Sequence, residues 1–136
     1  MHVTMPPKLR FHSEQQWLDH YKSKFIENVD TSNGNNCHKW LGPTKVYKST
    51  LYGRFYYIDY ASLKKTETSA HKFIYMLSKS LTFIDSPGCE VSHLCHYSLC
   101  VNSDHLILEH KSINLGRNAC KNYRKCSQQH IPHCIF

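Results

Sequence analysis

Hydrophobic positions in the first half of the chain follow a helical period in two segments. Residues 13–28 have apolar side chains three or four residues apart, and Ser13 with Gln16 forms a candidate capping box, so this segment predicts a helix. Residues 69–80 predict a second helix, because their apolar side chains fall on one face behind Ser69 as N-cap. The apolar residues of these faces are Trp17, Leu18, Tyr21 and Phe25, then Ala70, Phe73, Ile74 and Leu77.

The remaining pattern predicts strands and one further helix. Residues 40–59 are rich in aromatic side chains, which is typical of a twisted antiparallel sheet. A short strand is expected at 89–93, a partner strand at 106–108 and a short helix at 112–120. Residues 121–136 have little periodicity. The pattern therefore predicts an α+β fold, an antiparallel sheet with short helices.

Length and composition predict one globular domain that spans residues 1–136. Hydrophobic residues make up 40% of the chain and charged residues 20%, which is a folded rather than a disordered composition. The expected parts are an N-terminal helix at 1–30, sheet and helix at 37–80, a strand–loop–strand–helix unit at 89–120 and a loop at 120–136.

Charge indicates the kind of partner. The formal net charge is +7, and excess Lys and Arg favour polyanions, of which nucleic acid is the commonest inside cells. A basic protein that binds nothing acidic is the alternative.

The N-terminal residues have no apolar core and no cleavage pattern, and no apolar run approaches the roughly 20 residues of a membrane span. We therefore expect an intracellular protein, nuclear or cytoplasmic, with no signal peptide and no membrane partner.

Seven cysteines and eleven histidines offer candidate zinc sites. An odd number of cysteines cannot all form disulfides, and intracellular cysteines mixed with histidines more often bind metal than oxidise. Cys95, Cys100 and His105 lie in a C-x4-C-x4-H arrangement. Because zinc takes four ligands, this group needs one more, and Cys37 in its Gly/Asn-rich loop is the best candidate.

A second group near the C-terminus is complete by itself. Its four ligands follow the pattern Cys120-x5-Cys126-x3-His130-x3-Cys134. His133 is a rival for His130, but adjacent residues rarely both reach one ion, and His133 adjoins Cys134. Structural zinc can supply about 10 kcal/mol of folding free energy, which explains how a tail without apolar periodicity is ordered. Chance clustering is the alternative for both groups. Cys89 is left over and is predicted to be a small buried hydrophobe on a strand.

These groups and their surroundings resemble the His-Cys box homing endonucleases, a branch of the His-metal-finger (HNH) nucleases. The resemblance covers about residues 37–134. The motifs that carry it are Cys37-x2-Trp40-x-Gly42, Tyr52-Gly53-Arg54-Phe55, Ala70-His71-Lys72-Phe73, Ser92-His93-Leu94-Cys95-His96, Cys100-x4-His105-Leu106 and Asn114-Leu115-Gly116-Arg117-Asn118-Ala119-Cys120.

The resemblance implies a ββα-metal core at 89–120 and a metal-dependent DNA endonuclease. The general base falls on His93, the ligand of a catalytic Mg²⁺ or other divalent cation on Asn114, and a phosphate-binding arginine on Arg54. Two structural zinc ions complete the implied cofactors. Their ligands fall on Cys37, Cys95, Cys100 and His105, and on Cys120, Cys126, His130 and Cys134. Double-stranded DNA is the implied partner.

Several positions keep two interpretations. Arg54 is a phosphate ligand or a solvated strand arginine, and Arg117 contacts DNA backbone or is a surface cation. His71 is expected to be a core or helix-face histidine. The aromatic sheet lies in a DNA groove or is an ordinary sheet with solvated lysines. The lysines near that sheet are Lys45, Lys48, Lys64 and Lys65.

The resemblance also implies a homodimer held by a long C-terminal exchange arm. Only two residues follow Cys134, so we expect that arm to be absent and a monomer to nick DNA rather than cut both strands. A homodimer remains the alternative. Two other functions compete with the nuclease: a catalytically inactive zinc module that binds nucleic acid, and a secreted disulfide-rich protein.

Overall fold

The computed structural model describes residues 11–32, 36–126 and 130–136. Within these ranges the chain forms three helices and seven short strands, which confirms the α+β class. In chain order they are α1 (Glu14–Ile26), β1 (Val29–Asp30), β2 (Lys39–Trp40), β3 (Thr44–Tyr47), β4 (Thr50–Ile58), β5 (Lys65–Ser69), α2 (Ala70–Ser78), β6 (Cys89–His93), β7 (Leu106–His110) and α3 (Lys111–Tyr123). None of these helices is long and apolar enough to span a membrane.

Helix α1 begins as its capping residues predict. The Ser13 hydroxyl accepts a hydrogen bond from the Gln16 backbone N–H at 3.2 Å. The Gln16 side chain reaches back one residue further than in a capping box and accepts from the His12 N–H at 2.9 Å. Helix α2 follows Ser69, whose extended backbone ends β5 and whose side chain makes no capping hydrogen bond. The N-cap position of α2 was therefore predicted correctly, but its side-chain role was not.

All strand pairs are antiparallel, as predicted, but they form three small sheets rather than one. Strand β4 pairs with β3 on one side and β5 on the other. Strand β1 pairs with β2, and β6 pairs with β7. Helix α1 and helix α2 pack their aromatic faces against the β4 side chains. The resulting core includes Trp17, Tyr21, Phe25, Trp40, Phe55 and Phe73.

Close approach to one indole explains two of the glycines in the upstream motifs. A Cβ on Gly42 would lie 2.4 Å from Cζ2 of Trp40, and a Cβ on Gly53 would lie 2.4 Å from its Cδ1. The Trp40 ring therefore occupies the space that side chains at both positions would need. Its N–H donates to the Pro43 carbonyl at 2.9 Å, so the buried indole nitrogen is satisfied. Gly53, the residue directly before Arg54, is therefore packed against the Trp40 ring.

The β6–β7 hairpin and α3 follow one another as strand, strand and helix. The register pairs Glu90 with Glu109 and His93 with Leu106. Both α2 and α3 contact this hairpin. Helix α3 starts one residue earlier than predicted, because the His110 ring caps it by accepting from the Ser112 N–H at 3.2 Å, and it ends three residues later.

Cys89 corrects one expectation from the sequence. It lies on β6, as predicted, but its thiol is exposed rather than buried. It is the first residue of the strand and pairs with His110, the last residue of β7. The open end of a two-stranded hairpin leaves such a pair in contact with solvent.

Candidate functional site

The first Cys/His group meets as a compact cluster. Ligand atoms from Cys37, Cys95, Cys100 and His105 all lie within 4.8 Å of one another. The His105 Nδ1 atom is 3.5 Å from the Cys100 sulfur and 3.7 Å from the Cys37 sulfur. Tetrahedral zinc with ordinary Zn–S and Zn–N bonds would place sulfur and nitrogen roughly 3.6 Å apart. The donor set and its spacing therefore fit a structural zinc ion.

Backbone pairing brings Cys37 to this cluster across more than 50 residues of intervening chain. The Val101 N–H donates to the His38 carbonyl at 2.7 Å, and the Trp40 N–H donates to the Leu99 carbonyl at 2.8 Å. A single antiparallel bridge joins Lys39 to Cys100. The loop that contains Cys37 is thus hydrogen-bonded to the segment that contains Cys100.

The thiols of this cluster compete for protons. A hydrogen bond from Cys95 lowers the pKa of Cys100 to about 4, and the same contact raises the pKa of Cys95. Burial raises the pKa of Cys37 to about 11. Thiols this close together cannot all lose their protons without a cation to balance the negative charge. A zinc ion displaces the protons and neutralises the thiolates. The electrostatics of the cluster thus also favour an ion.

The second group forms a cluster of the same composition. Ligand atoms from Cys120, Cys126, His130 and Cys134 lie within 4.8 Å of one another. The His130 Nδ1 atom is 3.5 Å from the sulfurs of Cys120 and Cys126, and 4.0 Å from that of Cys134. The group of ligand atoms that meet includes His130 and not its rival His133. Two Cys3His clusters therefore support two structural zinc sites.

Cys89, Cys95, Cys100, Cys126 and Cys134 carry free thiols. The fold thus does not support the disulfide-rich alternative.

Both zinc-type clusters contact the loop after β6. The Leu94 N–H donates to the His105 carbonyl at 2.8 Å within the first cluster. The Leu94 carbonyl accepts from the Ile135 N–H at 2.6 Å, directly after the last ligand of the second cluster. Nearby, the rings of His96 and Phe136 stack with centroids 5.1 Å apart. The residue just before Leu94, His93, is consequently held between the two clusters.

The His93 ring has a defined tautomer. Its Nε2 atom lies 3.0 Å from the Cys100 carbonyl oxygen. A carbonyl only accepts, so Nε2 carries the proton and Nδ1 holds the lone pair. Burial lowers the pKa of His93 to about 4. The ring is therefore neutral near pH 7, with Nδ1 as its proton acceptor.

His71 is a core histidine, as expected, and it packs on His93. The centroids of the two rings are 4.2 Å apart. The His71 Nε2 atom donates to the Val91 carbonyl at 3.1 Å, and its buried Nδ1 has no hydrogen-bond partner among the residues that the structure describes. Burial, followed by the charge of His93, places the pKa of His71 well below its usual value. Its contact with His93 was not visible in the sequence, because His71 on α2 and His93 at the end of β6 are 22 positions apart in the chain.

Asn114 lies in the second turn of α3 and reaches back to β6. Its Nδ2 donates to Oε1 of Glu90 at 2.7 Å. Asn114 is half-buried and Glu90 is exposed. The carbonyl oxygen of the amide is not the atom that Glu90 engages. Oxygen is the donor type that Mg²⁺ prefers, so this side chain fits the role of a ligand to that ion.

Arg117 corrects another expectation, because it is neither a surface cation nor able to reach DNA. Its side chain is 1% exposed and that of Glu109 is 8% exposed. The guanidinium binds Glu109 through two bonds, Nε at 2.6 Å and Nη2 at 2.9 Å, and its Nη1 lies 3.5 Å from the Cys134 sulfur. Arg117 thus ties α3 to β7 and to the second cluster.

Arg54 is held on β4 by an acidic neighbour. Its Nε donates to Oε1 of Glu67 at 2.7 Å, and the side chain is 24% exposed. Arg54 pairs with Ser69 in the β4–β5 register, and Ser69 lies two residues before His71 in the chain. Arg54 is therefore neither fully solvated nor part of the core.

Comparison with known families agrees with these clusters. Residues 21–135 match the family described as the zinc-binding loop region of homing endonuclease. The chain belongs to this family. The match extends from α1 to the last residues of the chain and so covers both zinc-type clusters of the homing endonuclease region. No curated protein and no solved structure matches the chain.

Besides the contact between His71 and His93, two contacts at the site of this homing-endonuclease family member were not predicted from the sequence. Glu90 gave no signal because it is one acidic residue on a short strand, and its bond to Asn114 crosses between elements. The buried pair of Arg117 and Glu109 had a weak signal, since an arginine one helical turn after Asn114 lies on the same helix face.

Proposed function

We propose that this chain is a metal-dependent DNA endonuclease that hydrolyses phosphodiester bonds, with His93 as general base. The observation that carries the proposal is the His93 tautomer, fixed by the Cys100 carbonyl of the first zinc-type cluster. Membership of the homing endonuclease family and the net charge of +7 support DNA as the substrate. Both zinc ions are structural in this proposal and take no part in the chemistry.

The proton acceptor is Nδ1 of His93. A water aligned with the scissile phosphorus loses its proton to this atom as it attacks, and the 3′-oxygen leaves on the opposite side. The low pKa keeps the imidazole neutral, so no proton has to be removed from it first. The Nε2 bond to Cys100 prevents the ring from rotating away.

The Oδ1 atom of Asn114 would hold the catalytic divalent cation, Mg²⁺ in our proposal. When bound, the cation supplies positive charge to the phosphate and to the departing oxygen. One protein oxygen would be sufficient for Mg²⁺, because this ion usually keeps several of its waters when bound to a protein. The fold sets the position of the amide, which lies on helix α3. The bond between Arg117 and Glu109 anchors this helix to β7.

Arg54 binds a non-bridging oxygen of the same phosphate. A guanidinium presents paired donors that match phosphate geometry, and only its Nε is engaged by Glu67. The aromatic and basic β3–β4–β5 sheet that includes Arg54 lies against the DNA. Exposed side chains on this sheet include Lys45, Val46, Tyr47 and Tyr56.

A nicking assay with supercoiled plasmid and Mg²⁺ tests the proposal on the zinc-loaded protein. We expect His93→Ala to slow cleavage about 10²- to 10⁴-fold, which is the usual contribution of a positioned base. Arg54→Ala should slow it by about 10²-fold, and Asn114→Ala should raise the Mg²⁺ requirement. His12→Ala, an exposed histidine on the far N-terminal segment, is the matched control and should cut like wild type.

The form of the DNA product reports the oligomeric state, and the comparison of wild type with His93→Ala tests the proposed reaction. Nicked circles are expected from a monomer, and linear DNA would support a homodimer. Wild type and His93→Ala that retard DNA equally but never cut it would overturn the nuclease and favour an inactive zinc-dependent nucleic-acid-binding module. Equal cutting by wild type and His93→Ala would leave the reaction to another base.

A further inference from the structure

We infer that Glu90 is a positioning residue that orients the Asn114 amide, so that Oδ1 rather than Nδ2 is presented to the catalytic cation. This inference rests on the proposed function, because it assigns Asn114 to that ion. Nothing in the family match or the sequence motifs assigns a role to Glu90. Two features of the structure support this role: the hydrogen bond between the two side chains and the carboxylate pair of the hairpin.

Two carboxylates face each other across the hairpin. Glu90 and Glu109 are direct partners in the β6–β7 register, so their side chains leave the same face. Like charges in directly opposite positions destabilise a strand pair unless each one is bound. Arg117 binds Glu109 through two hydrogen bonds. Asn114, three residues earlier on the same helix face, binds Glu90.

The chemistry of Glu90 decides which end of the amide it binds. A side-chain amide can rotate by 180° about its last bond, and its oxygen and nitrogen are similar in size. An ionised carboxylate has only acceptors. It therefore attracts Nδ2 and repels Oδ1, so the rotation that turns the nitrogen outward exchanges a 2.7 Å hydrogen bond for a repulsive contact. The amide is consequently held with Oδ1 on the side away from Glu90.

Glu90 increases the fraction of molecules in which the Asn114 side chain is oriented to bind the cation. Without Glu90, the Asn114 side chain would divide itself between two amide orientations and as many as three χ1 wells. Apparent affinity falls in proportion to the competent fraction. Removal of Glu90 should therefore weaken cation binding by about two- to sixfold.

A double-mutant cycle on the zinc-loaded protein with cleavage-resistant DNA tests this role, with Mn²⁺ binding followed by electron paramagnetic resonance. Glu90→Gln, whose amide can bind either end of Asn114, should lose about two- to sixfold in affinity. The Asn114→Asp variant has two equivalent oxygens that need no orientation. In that variant, the added Glu90→Gln change should cost less than it does beside the native Asn114. Glu27→Gln removes an exposed charge at the end of α1 and should leave affinity unchanged.

A metal-free measurement accompanies the cycle. In protein labelled with ¹⁵N, the Asn114 side-chain amide protons should exchange with solvent more slowly in wild type than in Glu90→Ala. Identical exchange rates would overturn the inference.

The cycle separates failure of the inference from failure of the proposed function. An equal or larger loss from Glu90→Gln in the Asn114→Asp variant would mean that Glu90 attracts or binds the cation directly, and would overturn the positioning role alone. Unchanged Mn²⁺ affinity in Asn114→Ala would overturn the proposed function and this inference with it. The expected result is a smaller loss in the Asn114→Asp variant, together with weakened binding in Asn114→Ala.

Discussion

Replacing Arg117 with Met should destabilise the protein severely, although the substitution lies outside the main aromatic core. The guanidinium and the Glu109 carboxylate form a two-bond pair at 2.6 and 2.9 Å, with side chains 1% and 8% exposed. Met fills much of the same volume but leaves Glu109 buried without its partner. Breaking a buried pair in this way costs about 3–5 kcal/mol. A domain of this size has a total stability of about 5–15 kcal/mol, so the loss is a large part of it.

Thermal and denaturant unfolding of the zinc-loaded protein measure this loss. We expect Tm to fall by about 10–20 °C. Lys121→Met changes an exposed cation on the same helix and should stay within about 0.5 kcal/mol of wild type. Adding Glu109→Gln to Arg117→Met removes the unpaired charge and should recover part of the loss.

The same variant should weaken the second zinc-type cluster, because Nη1 of Arg117 contacts the Cys134 sulfur. Loss of a contact to a metal ligand typically costs about 10- to 100-fold in metal affinity. Chelator competition should therefore release the second zinc earlier and leave the first unchanged. If Arg117→Met were as stable as Lys121→Met and kept both ions equally well, the clamp between α3, β7 and the second cluster would be refuted.

Three further results are expected. Cys126→Ser should lower the zinc content from two ions per chain to one by elemental analysis, whereas Cys89→Ser, an exposed cysteine outside both clusters, should keep two; equal zinc in both variants would contradict the ligand sets. Gly53→Ala should cost about 1–3 kcal/mol in urea unfolding, since its Cβ would lie 2.4 Å from Trp40, and an unchanged midpoint would refute the close contact. The folded-state pKa of His71 lies below its unfolded value, so the folded chain binds fewer protons and loses stability as pH falls below about 6.5, by up to about 1.4 kcal/mol per pH unit. His71→Phe should flatten that slope relative to wild type, and parallel curves would show that His71 does not contribute.

The ligand spacing and the local patterns were sufficient to predict much of this protein. The helix at 13–28 was predicted because its cap and its apolar period are both local, and α1 occupies Glu14–Ile26. The second Cys/His group could be predicted from the sequence because all four members lie within fifteen residues, a span that one loop can bring together. The strands β6 and β7 were likewise predicted, as a short strand at 89–93 and an apolar partner at 106–108 with a polar, Cys-rich loop between them.

Tertiary structure decided the contacts that join distant elements. Cys37 reaches its cluster because its neighbours His38 and Trp40 form backbone hydrogen bonds with residues 101 and 99. No local pattern in the sequence encodes that pairing. Exposure was equally non-local: Arg117 is buried and Cys89 exposed, which reverses the usual preference of each residue type.

The physical reason is that residue type and spacing determine which local bonds are possible, whereas burial and long-range partners depend on which faces the folded chain brings together. His93 illustrates both. Its place two residues before Cys95 is a property of the sequence. Its tautomer and its lowered pKa exist only because folding sets the Cys100 carbonyl 3.0 Å from Nε2 and surrounds most of the ring with protein.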